Sequence, residues 1–216
     1  MGFFGVNGPF YKFISRLFDI LKLNFLWIIF SLPIITIGAS TAAVFSVTLK
    51  MAEDEEGYIG RSFLKGFKDN IKQGIPLGLM SIAAVYIVYL NFALFHAIES
   101  NPLPLLVTGM LSAAYFLLSL LYAFPLAARY KNTLLKTINN SFRISMKYIG
   151  RTFVLLIVIA VLVLMFSYNS TMLFMGILFG PAFIIYTISE FTMRIFRKIE
   201  EDPESVIKEN EKADKK

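Results

Sequence analysis

The chain has 216 residues, of which 56% are hydrophobic and only 17% charged, against about 25% charged in an ordinary soluble domain. With a mean hydropathy of +0.65, that composition excludes a disordered chain and argues against a soluble one, while the absence of cysteine excludes disulfides, thiolate metal sites and cysteine nucleophiles. The formal net charge of +6 then marks either nucleic-acid binding or membrane topology.

The first apolar region covers residues 23–49, 27 residues without a charge. A single helix of roughly 20 apolar residues crosses a bilayer, so one span would fit. The stretch SLPIITIGAS interrupts it, however, with Pro33 and Gly38. Proline removes a helical donor and clashes with the preceding turn, and Thr36 or Ser40 is placed to cap a new helix. Ser31, Pro33, Thr36 and Gly38 therefore form a candidate structural motif, the bend of a short or re-entrant hairpin. Lys22, the apolar run and Gly38-Ala39-Ser40 have the outline of a signal peptide. The run continues to Leu49, which favours a retained hairpin.

Next comes an acidic run, Glu53-Asp54-Glu55-Glu56, read as a solvated loop. In the following segment, Arg61, Lys65, Lys68 and Lys72 recur at spacings of four, three and four. Phe63, Phe67 and Ile71 occupy roughly the opposite face. That pattern predicts an amphipathic helix in the headgroup region. Residues 76–98 and 103–128 are uncharged runs of spanning length, as are the shorter 152–168 and 172–189, the last broken by Gly180-Pro181. Between them a second amphipathic segment carries Leu135, Ile138, Phe142, Met146 and Ile149 beside Lys136, Arg143, Lys147 and Arg151. The short likeness of FKDNIKQG (67–74) to FRISMKYIG (142–150) is better explained by shared lipid chemistry than by duplication.

Charge placement fixes the topology. Lys and Arg number three before the first region, five after it, six after the 103–128 run and seven at the C-terminus; the gaps near 99–102 and 168–171 hold none. Cytoplasmic loops carry the excess of cations, so a hairpin at 23–49 places all 21 on one side. The fold class expected is an all-α membrane protein: a bundle of six hydrophobic helices, near 13–32, 38–52, 76–98, 103–128, 152–168 and 172–195, with cytoplasmic amphipathic linker helices. Residues 1–199 make the integral membrane domain and 200–216 a charged cytoplasmic tail. The chain is expected in the cell membrane, multi-pass, with both termini cytoplasmic. The positive charge then serves topology and anionic headgroups, not nucleic acid.

Ionisable residues at membrane depth are functional candidates by default, and here they are few. Asp19 is placed to pair with Lys22, and Glu190 with Arg194. His96 and Glu99 are too few for a closed metal site. Asn91 and Glu190 are the candidate intramembrane polar residues. Arg61, Lys65, Phe67, Lys68, Lys72, Arg143 and Lys147 are candidate lipid or partner contacts. No catalytic, cofactor or metal-binding set is expected, since no HExxH, GxSxG, phosphate loop or dinucleotide motif is present; the chain reads as a non-enzyme without a cofactor.

The run NFLWIIFSLPIITIGASTAA, from Asn24 to Ala43, with the following EEGYIGRSFLKGFKDNIKQG, resembles the YesL-like membrane proteins of Gram-positive bacteria. The resemblance covers Asn24 to Gly74. It implies a small polytopic membrane protein whose activity is not established. Family members are often encoded beside sugar-uptake transporters, polysaccharide-degrading enzymes and their sensors. The resemblance thus implies an accessory or assembly factor for carbohydrate uptake or sensing, partnered with an ABC transporter or sensor kinase. The alternative is a small-solute transporter or permease acting through its own helix bundle.

Overall fold

The computed structural model describes residues 9–55, 57–98 and 103–201. Among these the chain is helical and holds no strand: α1 (Pro9–Ser31), a 3-10 turn (Ile34–Thr36), α2 (Ile37–Met51), α3 (Ile59–Ala97), α4 (Leu103–Arg129), α5 (Leu134–Lys147), α6 (Ile149–Ser167) and α7 (Ser170–Glu201). Glu99, considered beside His96 as a metal ligand, residue Glu56 and the tail beyond 201 lie outside the described residues. The chain is an all-α integral membrane protein, with five segments long and apolar enough to cross a bilayer: Ile34–Met51, α3, α4, α6 and α7. α1 is not among them, because Arg16, Asp19 and Lys22 interrupt its apolar face.

The hairpin forms where the sequence places it. α1 opens on Pro9, whose missing donor costs nothing in a first turn. It stops before Pro33, which is extended at φ −74° and ψ 112°. The Thr36 hydroxyl donates to the carbonyls of Phe30 (2.6 Å) and Pro33 (2.7 Å), tying the turn back to α1. Thr36 thus sits at the start of α2 without capping it through its side chain. The tip exposes Leu32, Ile34 and Ile35 at 75%, 68% and 59%, an apolar knuckle.

Depth follows from what the tip meets. Gly38 lies against Gly74 and Gly78, and α3 continues for another 19 residues to Ala97, about 28 Å at the helical rise. On the other side Asn24 of α1 binds Ile177 and Leu178, and α7 reaches seven residues farther, to Ser170. The hairpin therefore stops short of the far end of α3, whereas α1, running seven residues beyond Asn24 to Ser31, keeps pace with α7. It is also enclosed by protein: 61% of the Ile34–Met51 segment is buried, against 11–22% of the corresponding windows in α3, α4, α6 and α7. α2 is a core element, touching α1, α3, α4 and α7.

The first amphipathic segment differs from expectation. It is no separate linker: Ile59–Ala97 is one 39-residue helix with Pro76 inside it. Proline is tolerated in membrane helices where neighbours support the backbone, and here the glycine faces on both sides of Pro76 seat against α2. α5 is the one independent linker helix among the described residues. It buries a hydroxyl row, Thr137, Ser141 and Ser145. Ser141 and Ser145 donate to the carbonyls of Ser119 and Leu118 in α4. Leu135 and Met146 of its apolar stripe stay exposed.

α3–α4 and α6–α7 form two antiparallel hairpins. They meet where α4 approaches α7 and through the hydrogen bond between the Tyr122 and Thr152 hydroxyls (3.1 Å). Asn169 starts α7 by accepting from the Met172 amide (2.8 Å), an N-cap arrangement.

Candidate functional site

The helix ends that carry charge converge at one end of the bundle. Arg129, last in α4, donates to both carboxylate oxygens of Glu53 (3.1 and 3.2 Å) and of Glu200 (2.9 and 3.1 Å). Planar guanidinium makes such forked bonds where ammonium cannot. Tyr130 donates to Glu200 as well; burial, then that carboxylate, pushes its phenol up to about 12. Arg16 of α1 pairs with Asp54, which turns the chain out of α2 with φ 58°, a left-handed value that Asp tolerates. The Arg197 guanidinium reaches the Ala52 carbonyl (3.4 Å). Glu53 and Asp54, read as a solvated loop, are therefore clasps joining α1, α2, α4 and α7.

This cluster yields a mutational expectation. Arg129→Gln leaves two carboxylates facing each other, at a cost of about 1–3 kcal/mol once partial exposure is allowed for. Arg129→Lys recovers only part, since it cannot fork to both. Thermal unfolding in detergent ranks them wild type, Lys, Gln; equal melting of all three would remove the clasp.

Beside the clasp lies a half-open cleft of about 720 Å³, within the usual range of small-ligand sites. Its walls come from α2 (Ser46, Lys50), the first half of α3 (Ser62 to Gln73) and the α4–α5 link (Ala127 to Leu134). Lys50, Lys65, Lys72 and Lys131 line it with Arg129. Arg129 is engaged with Glu53 and Glu200. The one carboxylate in the lining is Asp69. Gln73 donates to Thr137 (2.7 Å), holding α5 against α3.

The sequence-derived candidates divide. Lys65 and Lys72 line this cleft, whereas Arg61, Lys68, Arg143 and Lys147 do not. Arg61 instead sits over the Tyr58 ring at 5.7 Å. Phe67 is not turned to lipid: it packs on Phe30 (4.9 Å) and Phe63 (6.3 Å), because α1 and α2 cover that face of α3. Asn91 donates to the Ile87 carbonyl and accepts from Thr108 of α4 (3.3 Å). Glu190 accepts from Tyr186 (2.8 Å), and Tyr186 in turn accepts from Arg16 (3.3 Å); the partner lies one turn before Glu190 in α7, not one turn after it at Arg194 as spacing suggested. The Ser31 hydroxyl is buried without a partner among the described residues. Asp19 and Lys22 pair at 3.1 Å.

Two arrangements were missed by sequence reasoning. Pro181 denies α7 one donor, leaving the Ile177 carbonyl without its helical partner. Asn24, 1% exposed, supplies it: its amide donates to Ile177 (2.9 Å) and Leu178 (2.8 Å), and its oxygen accepts from the Ala182 amide (3.2 Å). The other is the seam of Gly38, Gly74 and Gly78, where backbones approach so closely that a Cβ on any of them falls within 2.7 Å of backbone atoms. No group of three or more His, Cys, Asp or Glu suited to a metal occurs among the described residues.

Residues 20–92 match the model of DUF624, a family of proteins of unknown function. The resemblance to the YesL-like proteins, read from Asn24 to Gly74, falls inside that match. The match takes in α2, the glycine seam and the α3 wall of the cleft. No curated protein and no solved structure matches the chain.

Proposed function

We propose that this chain, with its DUF624 segment, is a non-enzymatic protein of the bacterial cell membrane that acts as an accessory or assembly factor in carbohydrate uptake or sensing. Both termini and the ion-paired end would face the cytoplasm. The observation that carries the reading is unequal packing. One end is tied by Arg129, Glu53, Glu200, Arg16 and Asp54, while the long spans α3, α4, α6 and α7 bury little of their apolar surface. Such spans offer faces to lipid or to the helices of a partner, where close packing and interhelical hydrogen bonds drive association. The cations cluster at the ion-paired end, the pattern of a cytoplasmic face.

The carbohydrate link is supported by the YesL-like resemblance alone, and the partner class it points to is a carbohydrate ABC importer or a sensor kinase. Affinity capture of the tagged chain from its native membrane in mild detergent is expected to recover subunits of one or the other. Recovery of neither, in cells grown on plant polysaccharide, would overturn the accessory role. Uptake of labelled oligosaccharide by vesicles holding only this protein would replace it with transport.

A further inference from the structure

We propose that the cleft between α2, α3 and the α4–α5 link binds a phosphate-bearing group, a lipid headgroup or a soluble phosphate ester. This goes beyond the accessory role and stands without it. Lys50, Lys65, Lys72 and Lys131 come from three separate segments and line one concavity. No ion pair or hydrogen bond engages any of these four ammonium groups among the described residues. Two arginines at this end are matched instead: Arg129 holds two carboxylates and Arg16 one. Asp69 alone offsets the lysines in the lining. Like charges gathered in a concave, half-enclosed site focus positive potential and draw an anion.

The wall contributes the rest of an anion site. α5, 14 residues long, begins at the cleft edge, and Thr133 before it makes no side-chain cap. Its first-turn amides therefore add donors to those of the lysines, a second source of attraction for phosphate oxygens. Lysine suits phosphate as a mobile point charge. The volume of about 720 Å³ is in the range of sites for small ligands such as a glycerophosphate or sugar phosphate.

The test uses the full chain in nanodiscs. One arm compares phosphatidylcholine discs with discs containing phosphatidylglycerol, and counts retained anionic lipid by native mass spectrometry. The other titrates glucose 6-phosphate and inorganic phosphate into phosphatidylcholine-only discs by calorimetry. Saturable binding is expected in one arm, and the arm identifies the source. Lys50→Gln with Lys131→Gln should weaken it about 25-fold, from about fivefold for each lysine near an anionic group. Arg61→Gln with Lys68→Gln removes equal charge outside the cleft and should change it about twofold or less. Lys50→Arg with Lys131→Arg should retain binding, which separates lost charge from lost folding. No saturable binding in either arm, or equal weakening by the two glutamine pairs, would overturn the proposal.

Discussion

Gly38→Ala is expected to destabilise the protein by about 3 kcal/mol or more, the upper range for forced overpacking. A Cβ there would stand 2.1 Å from the Gly74 carbonyl oxygen and 2.6 Å from the Gly78 Cα. Both are backbone atoms of a long helix, so nothing can rotate out of the way. Separating α2 from α3 would disturb the most buried helix of the bundle. Gly66→Ala is a graded companion: its Cβ meets the Ser46 hydroxyl oxygen at 2.0 Å, a side-chain atom that Ser46→Ala removes. Rescue is expected for Gly66 and not for Gly38. Gly60→Ala, with nothing within 4 Å, should be neutral or stabilising by up to about 1 kcal/mol. Thermal melts of the three variants in one detergent decide it; a Gly38→Ala protein that melts with wild type would disprove the seam.

Much of this architecture is legible from the sequence because a bilayer imposes its demands locally. An uncharged run of 23 or 26 residues declares a span whatever its neighbours. Pro33 marks the bend for an equally local reason, whereas Gly38 lies inside α2 and is needed for the close approach to Gly74 and Gly78. The misreadings occur where a partner decides. Pro76 looks like a helix boundary, yet α3 runs through it because Gly74 and Gly78 are held against α2. Phe67 looks like a lipid contact until Phe30 covers it. Glu53 looks solvated until Arg129 arrives from 76 residues away. In α5 the signal was present but outweighed: Thr137, Ser141 and Ser145 recur every four residues, a buried face as regular as the apolar stripe. Membrane-associated helices can pack through small hydroxyl residues as readily as through leucine.

The cleft was legible only in half. Lys65 and Lys72 belong to a stripe visible by spacing, while Lys50 and Lys131 join them through the packing of α2 and the α4–α5 link. A stripe by itself predicts a diffuse attraction to a charged surface. A concavity walled by three segments predicts saturable binding with a stoichiometry. That difference is why the cleft variants and the Arg61/Lys68 variants should part, although each pair removes the same charge.

The second large effect is expected at Asn24, whose role depends on a proline 157 positions later. Asn24→Leu keeps the volume but strips partners from the Ile177 and Leu178 carbonyls and the Ala182 amide. Leaving buried backbone groups unsatisfied costs about 1–3 kcal/mol each, and relaxation of the helix brings the total to about 2–4 kcal/mol. Pro181→Ala restores an N–H that can reach Ile177, so the ladder of α7 no longer needs the asparagine there. In that background Asn24→Leu should cost less, by about 1–2 kcal/mol of coupling. The cycle is read from denaturant unfolding of the four proteins in one detergent. Strict additivity would mean that Asn24 merely packs between α1 and α7. Coupling of the expected sign would mean that α1 carries the donor that α7 lacks, so that the amphipathic first helix is fastened to the last span by repairing its break.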